Sequence, residues 1–419
     1  MLMFPLLGTV SVTMAQDDPV ELVFRQFDPP LEIEGLEQAV EKFNESHPNI
    51  QVTMETVTGP EGLPQYVREV QAGGGPDVEH LAFVWTRDLA RAGQLMPLDD
   101  FIAASPPGAG LDDFLALDLA QFEGGTYGVP WTADTFVMAY RPDLFEAAGV
   151  TAFPDTWEDF QAVAAQLTAD TDDNGRTDQF GFCFPAGSGP TSGMWFLVNY
   201  YLWSNGKFLV EETSDGQWEV GVTPEDVAEA MTYYNTFFEE GSTPKSLIAV
   251  DAWGDPEIVG GLGRGDCAIS FFPPQTFRAA QEQSEQPLMT APIPQGSEQR
   301  ISHLGGRALG INPNTEHPEE AWEFIQFLTS QETFDTYDQY PAQRSLLDAL
   351  EFPEAEQGYV EMLPLAITFE RYISSPARST SMQEAVTREF GAVYSGQRSP
   401  EEAGQALVDS LAELLERGS

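Results

Sequence analysis

Asp170, Asp172, Asn174 and Asp178 place oxygen-bearing side chains at positions 1, 3, 5 and 9 of a loop whose sixth residue is Gly175, with Arg176 at the seventh, main-chain position. Such spacing aims alternate residues at one hard cation, so it predicts a structural calcium ion that staples the chain before a strand starting at Gln179. Position 12 is Gly181 in place of a bidentate glutamate, so another carboxylate must complete the shell. A plain Asx-rich turn accounts for the same residues without metal. Cys183 and Cys267 fall in separate predicted strands, where a disulfide and two buried thiols fit the sequence equally well. His47, His80, His303 and His317 lack zinc-ligand spacing. The run Gly261-Leu-Gly263-Arg-Gly265 precedes a strand and lacks the phosphate-loop lysine, and no Gly-x-Ser-x-Gly elbow occurs.

The chain that must position these residues has 419 of them, which predicts two domains, each with its own core. Its formal charge of -48 owes as much to scarce lysine (Lys42, Lys207 and Lys245) as to abundant carboxylates. Such a field repels nucleic acid and anionic membrane surfaces, and it suits work in high salt, where screening removes the self-repulsion. Leu2 to Val12 is apolar but too short to span a bilayer, and small residues lead to Ala15. Residues 1–19 therefore read as a signal peptide and linker cut after Ala15, although no basic residue precedes Arg25. No later run reaches the length of a membrane span, so a soluble, extracytoplasmic monomer is expected.

The central stretch runs from Tyr127 to Gly149: a short apolar strand to Trp131, a polar break over Thr132 to Thr135, then a second strand from Phe136 to Tyr140. Ligand sites in open α/β sheets sit just beyond strand ends, which places Trp131 and Asp134 beside a ligand. Before it, Leu22 to Phe27, a helix marked by Leu36, Val40 and Phe43, and Ile50 to Val57 form a βαβ unit, followed by a third strand over Asp77 to Val84. After it, Thr156 and Thr223-Pro224 cap helices, Trp195 to Trp203 is an aromatic-rich helix, and Gly306 to Ile311 returns as a strand.

Gly75-Pro76-Asp77-Val78, Ala92-Gly93-Gln94-Leu95, Tyr127-Gly-Val-Pro130, Tyr140-Arg-Pro-Asp-Leu-Phe145, Pro154-Asp-Thr-Trp157, Gly305-Gly306 and Ser399-Pro-Glu-Glu402 follow one another in this order. The succession resembles an extracellular solute-binding protein, family 1, of a carbohydrate-importing ABC transporter. That resemblance implies a type II periplasmic-binding-protein fold. Two hinged α/β lobes would span residues 20–131 plus 296–334 and residues 132–295 plus 335–419, closing on a sugar and presenting it to membrane permease subunits. It implies a binding role without reaction chemistry.

Pyranose rings offer apolar C–H faces that stack on flat aromatics, and their hydroxyls need a few fixed polar partners. The candidates are Trp85, Trp131, Trp195 and Trp253 as walls, with Asp134, Glu79, Gln275, His303 and the Gly305-Gly306 turn as polar edges. Each of these tryptophans fits a core position as well. Arg307 stands where similar proteins often carry a stacking aromatic, and Gln275 and Met382 stand where tryptophans are common. With Arg378, Arg307 offers guanidinium forks that suit an anionic ligand such as a uronate, a sugar phosphate or a glycerol phosphodiester, unless an internal salt bridge occupies them. A rival from another class is a secreted glycoside-processing enzyme with Asp134 and Glu79 as its carboxylate pair.

Overall fold

Leu22 and Phe24 on the strand Val20–Gln26, and Ile50 and Val52 on the strand Ile50–Thr56, share a core with Leu36, Val40 and Phe43 of the intervening helix Leu36–Ser46. The two strands pair in parallel, and Val20–Gln26 pairs in parallel with Val78–Ala82 on its other side. These coordinates are a computed structural model, which describes residues 19–28, 33, 35–57, 62–105, 110–189 and 192–418. The expected cleavage point after Ala15 lies outside the described residues.

The first sheet runs in the order Ile50–Thr56, Val20–Gln26, Val78–Ala82, Gly305–Ile311, Val129–Asp134. Gly305–Ile311 is antiparallel to both of its neighbours. A second sheet orders Met289–Ala291, Val137–Tyr140, Cys267–Phe272, Phe180–Phe182. The chain thus passes from one sheet to the other between Asp134 and Val137 and returns between Ala291 and Gly305. Residues 340–343 run beside the strand Val129–Asp134, with Ala133 N–H donating to Tyr340 and Ala342 N–H donating to Trp131.

The polar break expected from Thr132 to Thr135 is shorter than its composition suggests. Thr132, Ala133 and Asp134 pair with Arg307, Gly306 and Gly305, so a ladder supplied from far along the chain overrides weak local propensity. Local signals were sufficient at the helix starts. Thr156 Oγ1 accepts from Asp159 N–H at 3.1 Å, and Thr223 with Asp226 makes a reciprocal capping box ahead of Pro224. Cys183, just past the end of the strand Phe180–Phe182, and Cys267, at the start of the neighbouring strand Cys267–Phe272, are joined as a disulfide, with Cα atoms 5.8 Å apart.

The helix Met194–Ser204 is apolar all round and buried all round, with one exception. Phe196 alone keeps partial exposure, and it faces a cavity.

Candidate functional site

A cavity of about 310 Å3 lies where the strand ends of the two sheets meet. From the first sheet come Ala82, Phe83 and Trp85, where the strand Val78–Ala82 turns directly into the helix Phe83–Arg91. Asp134, Phe136 and the run His303 to Arg307 come from the two sheet-to-sheet passages. Trp195, Phe196, Trp253 and Gln275 come from elements around the second sheet, and Phe369, Ser379, Thr380 and Gln383 from the C-terminal region.

The aromatic walls are fixed by other rings. Trp195 stacks on Phe369 at 5.6 Å and 23°, Trp253 meets Phe136 edge-on at 5.0 Å, and Trp85 leans on Phe27 at 4.6 Å. Trp85 and Trp253 are half-buried, so each retains surface for a ligand. Gly305 and Gly306 form the floor. A Cβ on Gly305 would lie 2.2 Å from Asp134 Oδ1, and one on Gly306, at φ 141°, would lie 2.0 Å from the Thr132 carbonyl oxygen. Only glycine lets these strands approach so closely.

Arg307 touches the cavity but is held elsewhere. Its Nε and Nη2 reach Asp28 at 2.9 and 2.7 Å, its guanidinium lies 5.2 Å over the Phe27 ring, and Nη1 is 4.0 Å from Asp134. Burial pushes the Asp28 carboxyl up, but Arg307 and His80 outweigh it and hold it below the ordinary range. Burial raises the Asp134 carboxyl above its ordinary range, with Arg307 opposing. His303, whose Nδ1 is 2.7 Å from the Tyr200 hydroxyl, is lowered to about 3, first by burial and then by Arg307. Its neutral ring lies 3.9 Å from Asp134, leaving carboxyl, imidazole and the Gln275 amide as polar edges between aromatic walls. Gln275 is oriented by a hydrogen bond to Gln339.

Three expected site residues lie elsewhere. Trp131 is 1% exposed, stacks on Tyr337 at 4.9 Å and donates from Nε1 to the Leu328 carbonyl at 2.7 Å. It sits where the pairing with Gly305–Ile311 slips by one residue, and its ring packs among Phe24, His80 and Tyr337, whereas Asp134 lines the cavity. Glu79 is buried within the first lobe near Arg25, and burial pushes its carboxyl well above the ordinary range. Arg378 immediately precedes the helix Ser379–Tyr394 with its side chain exposed, outside the cavity that its neighbours Ser379 and Thr380 line. Met382, set against the tryptophan of similar proteins, is fully buried core.

Phe83, Phe136, Phe196, Phe369, Ser379, Thr380 and Gln383 line the cavity without having been singled out by sequence. Phe196 carried a signal, as it sits inside the aromatic helix next to Trp195. Asp28, the partner of Arg307, carried none, because 279 residues separate the two.

In the acidic loop, carboxylate oxygens of Asp170, Asp172 and Asp178 lie within 4.8 Å of one another. Asp170 accepts from Asn174 N–H at 3.1 Å and Gly175 N–H at 2.6 Å, while Asn174 Oδ1 accepts from Arg176 N–H at 2.9 Å. Gly181 cannot carry a carboxylate, since a Cβ there would lie 1.8 Å from the Ala164 carbonyl oxygen. The loop therefore offers a hard cation three carboxylates and no twelfth-position ligand.

Residues 29–333 match the family described as bacterial extracellular solute-binding protein. The chain belongs to this family. A binding protein of Brucella abortus is 24% identical to this solute-binding protein over 296 residues, 70% of this chain and 67% of that one. The erythritol/L-threitol-binding protein of Mycolicibacterium smegmatis is 26% identical over 266 residues, 60% of this chain and 52% of that one. The GacH receptor of Streptomyces glaucescens, solved unliganded and with acarbose, superposes with a TM-score of 0.78 at 22% identity, covering 95% of this chain and 99% of that one. Maltose-bound MalE3 of T. maritima superposes with a TM-score of 0.77 at 24% identity, covering 94% and 100%. The fold of this solute-binding protein is therefore the two-lobed, MalE-like one. Among its described residues, no helix is long and apolar enough to cross a membrane.

Proposed function

We propose that this solute-binding protein captures an uncharged sugar or oligosaccharide in the cavity between its two sheets and delivers it to the permease of an ABC importer. One observation carries the reading: Trp85 on one side and Trp195 and Trp253 on the other flank Asp134, Gln275 and His303 in one cavity. Rings with apolar faces and a hydroxyl rim fit such walls and edges. Ala82 and Arg378 offer no side-chain cap to the helices they precede, so first-turn N–H groups at two points of the wall remain for ligand oxygens. The ligands named for the structural relatives, acarbose and maltose, are of this chemistry.

An anionic ligand has less support, because Asp28 already takes the fork of Arg307 and Arg378 lies outside the cavity. The carboxylate-pair enzyme has less still. Asp134 and Glu79 stand opposite Gly305 and Gly310, five residues apart on the strand between theirs, so their backbones are separated by about 17 Å along the strands and about 10 Å across them. Two carboxyls flanking one glycosidic bond need about 5 to 9.5 Å.

A thermal-shift panel of mono- and oligosaccharides, uronates and sugar phosphates tests the reading. A neutral sugar at a hundredfold over its Kd adds about 2.7 kcal/mol and should raise the midpoint by several degrees. A shift with acids alone, or turnover of an oligosaccharide without any shift, overturns it. Asp170, Asp172, Asn174, the Arg176 carbonyl and Asp178 would hold a structural calcium ion, supported by the convergence of the three carboxylates. Export with cleavage after Ala15 and a monomeric state complete the proposal.

A further inference from the structure

A second chamber, of about 620 Å3, shares the Phe369 wall with the first. On the opposite side, neighbouring residues divide the work: Leu119 lines the first cavity and Asp118 the second. The helix Met194–Ser204 does the same, contributing Trp195 to one and Trp203 to the other. Arg87 ties together three residues that line the second chamber, reaching Glu370 at 2.7 Å, Ser374 at 2.8 Å and the Asp118 carbonyl at 3.0 Å.

The chamber has its own aromatic surfaces and its own charge. Phe208 and Trp218 are half-buried, and Trp218 stands on a two-stranded hairpin, Val210–Glu212 with Trp218–Val220, that joins neither main sheet. The Arg371 guanidinium lies 3.7 Å over the Phe208 ring and pairs with Glu211 at 2.9 Å, which neutralises the one lining guanidinium. The side chains of Asp118 and Glu212 have no ion-pair or hydrogen-bond partner among the described residues. Both are exposed, so an anion entering here meets two unpaired like charges, whereas hydroxyl or ammonium protons meet acceptors.

We propose that this chamber is a subsite for a further sugar ring of the captured ligand, stacked near Trp218, and that it takes neutral or amino-bearing rings and rejects uronates. The inference rests on the sugar reading of the first cavity. It makes the ligand a chain that passes Phe369 and brings the hairpin into the binding surface.

Isothermal titration with gluco-, manno- and xylo-oligosaccharides of one to four units, and with a uronate-ended member of the best series, tests it. Affinity of the wild-type protein should rise with length, and Trp218→Ala should cost about tenfold on the long members while leaving the single ring unchanged. Glu212→Gln, on an exposed side chain, should leave neutral chains unaffected and improve binding of the uronate-ended one. An unchanged single-ring affinity and melting midpoint certify that each variant folds. Equal affinity for one and four units, an unaltered length series in Trp218→Ala, or tighter wild-type binding of the uronate-ended chain overturns the second subsite alone. Absence of binding by every sugar overturns the reading of the first cavity on which it stands.

Discussion

Arg307 borders the ligand cavity yet directs its charge at Asp28, which is only 5% exposed on its side chain. Truncating such a partner strands a buried charge, so Arg307→Ala should cost about 3–5 kcal/mol in urea unfolding. A loss below 1 kcal/mol would mean that Asp28 does not need it. Histidines set a different response. Burial lowers His303 to about 3 and His80 to about 4, while the unfolded chain binds these protons near 6.5. Stability from each neutral ring is therefore present above about 6.5 and falls with pH down to the folded values. The stability margin of wild type over His303→Gln should shrink between about pH 7.5 and pH 5, and a constant margin would contradict the shift. At this scale the sequence was legible for type and poor for direction. Trp195 and Trp131 looked alike, and only what surrounds each separates the wall from the core: the cavity for Trp195, the Tyr337 ring and the Leu328 carbonyl for Trp131.

Two elements meet through Arg87, which joins the helix Phe83–Arg91 to the helix Glu370–Ser374. If ligand affinity depends on holding these elements together, Arg87→Ala should weaken sugar binding several-fold with the walls intact, since a smaller closed population lowers apparent affinity in proportion. Unchanged affinity by titration would show that the bridge is incidental. The loop from Asp170 to Asp178 behaves as a separable element as well: calcium should raise the melting midpoint above that in chelator, and Asp172→Asn should abolish the difference. Equal midpoints for the wild type would leave a metal-free turn. Helix starts and the βαβ unit were readable because caps and periodicity are local. The place of the strand Gly305–Ile311 between Val78–Ala82 and Val129–Asp134 was not, because partners so distant in sequence leave no periodic trace.

For the whole molecule, the order of weak motifs carried more than any one of them, and the family and the two-lobed fold follow from that order. The site did not follow as completely, since a cavity is made where elements converge and Phe369, Ser379 and Gln383 acquire meaning only there. The charge of -48 sits uneasily with binding an anion and comfortably with a neutral sugar. Titration of wild type and Trp85→Ala with the best sugar of the panel is the most direct test of that account. Trp85 is half-buried and faces the cavity, so its removal should weaken binding about tenfold or more while the melting midpoint of the free protein stays within a few degrees. Undiminished affinity in a folded Trp85→Ala protein would contradict the claim that a sugar is held between these walls.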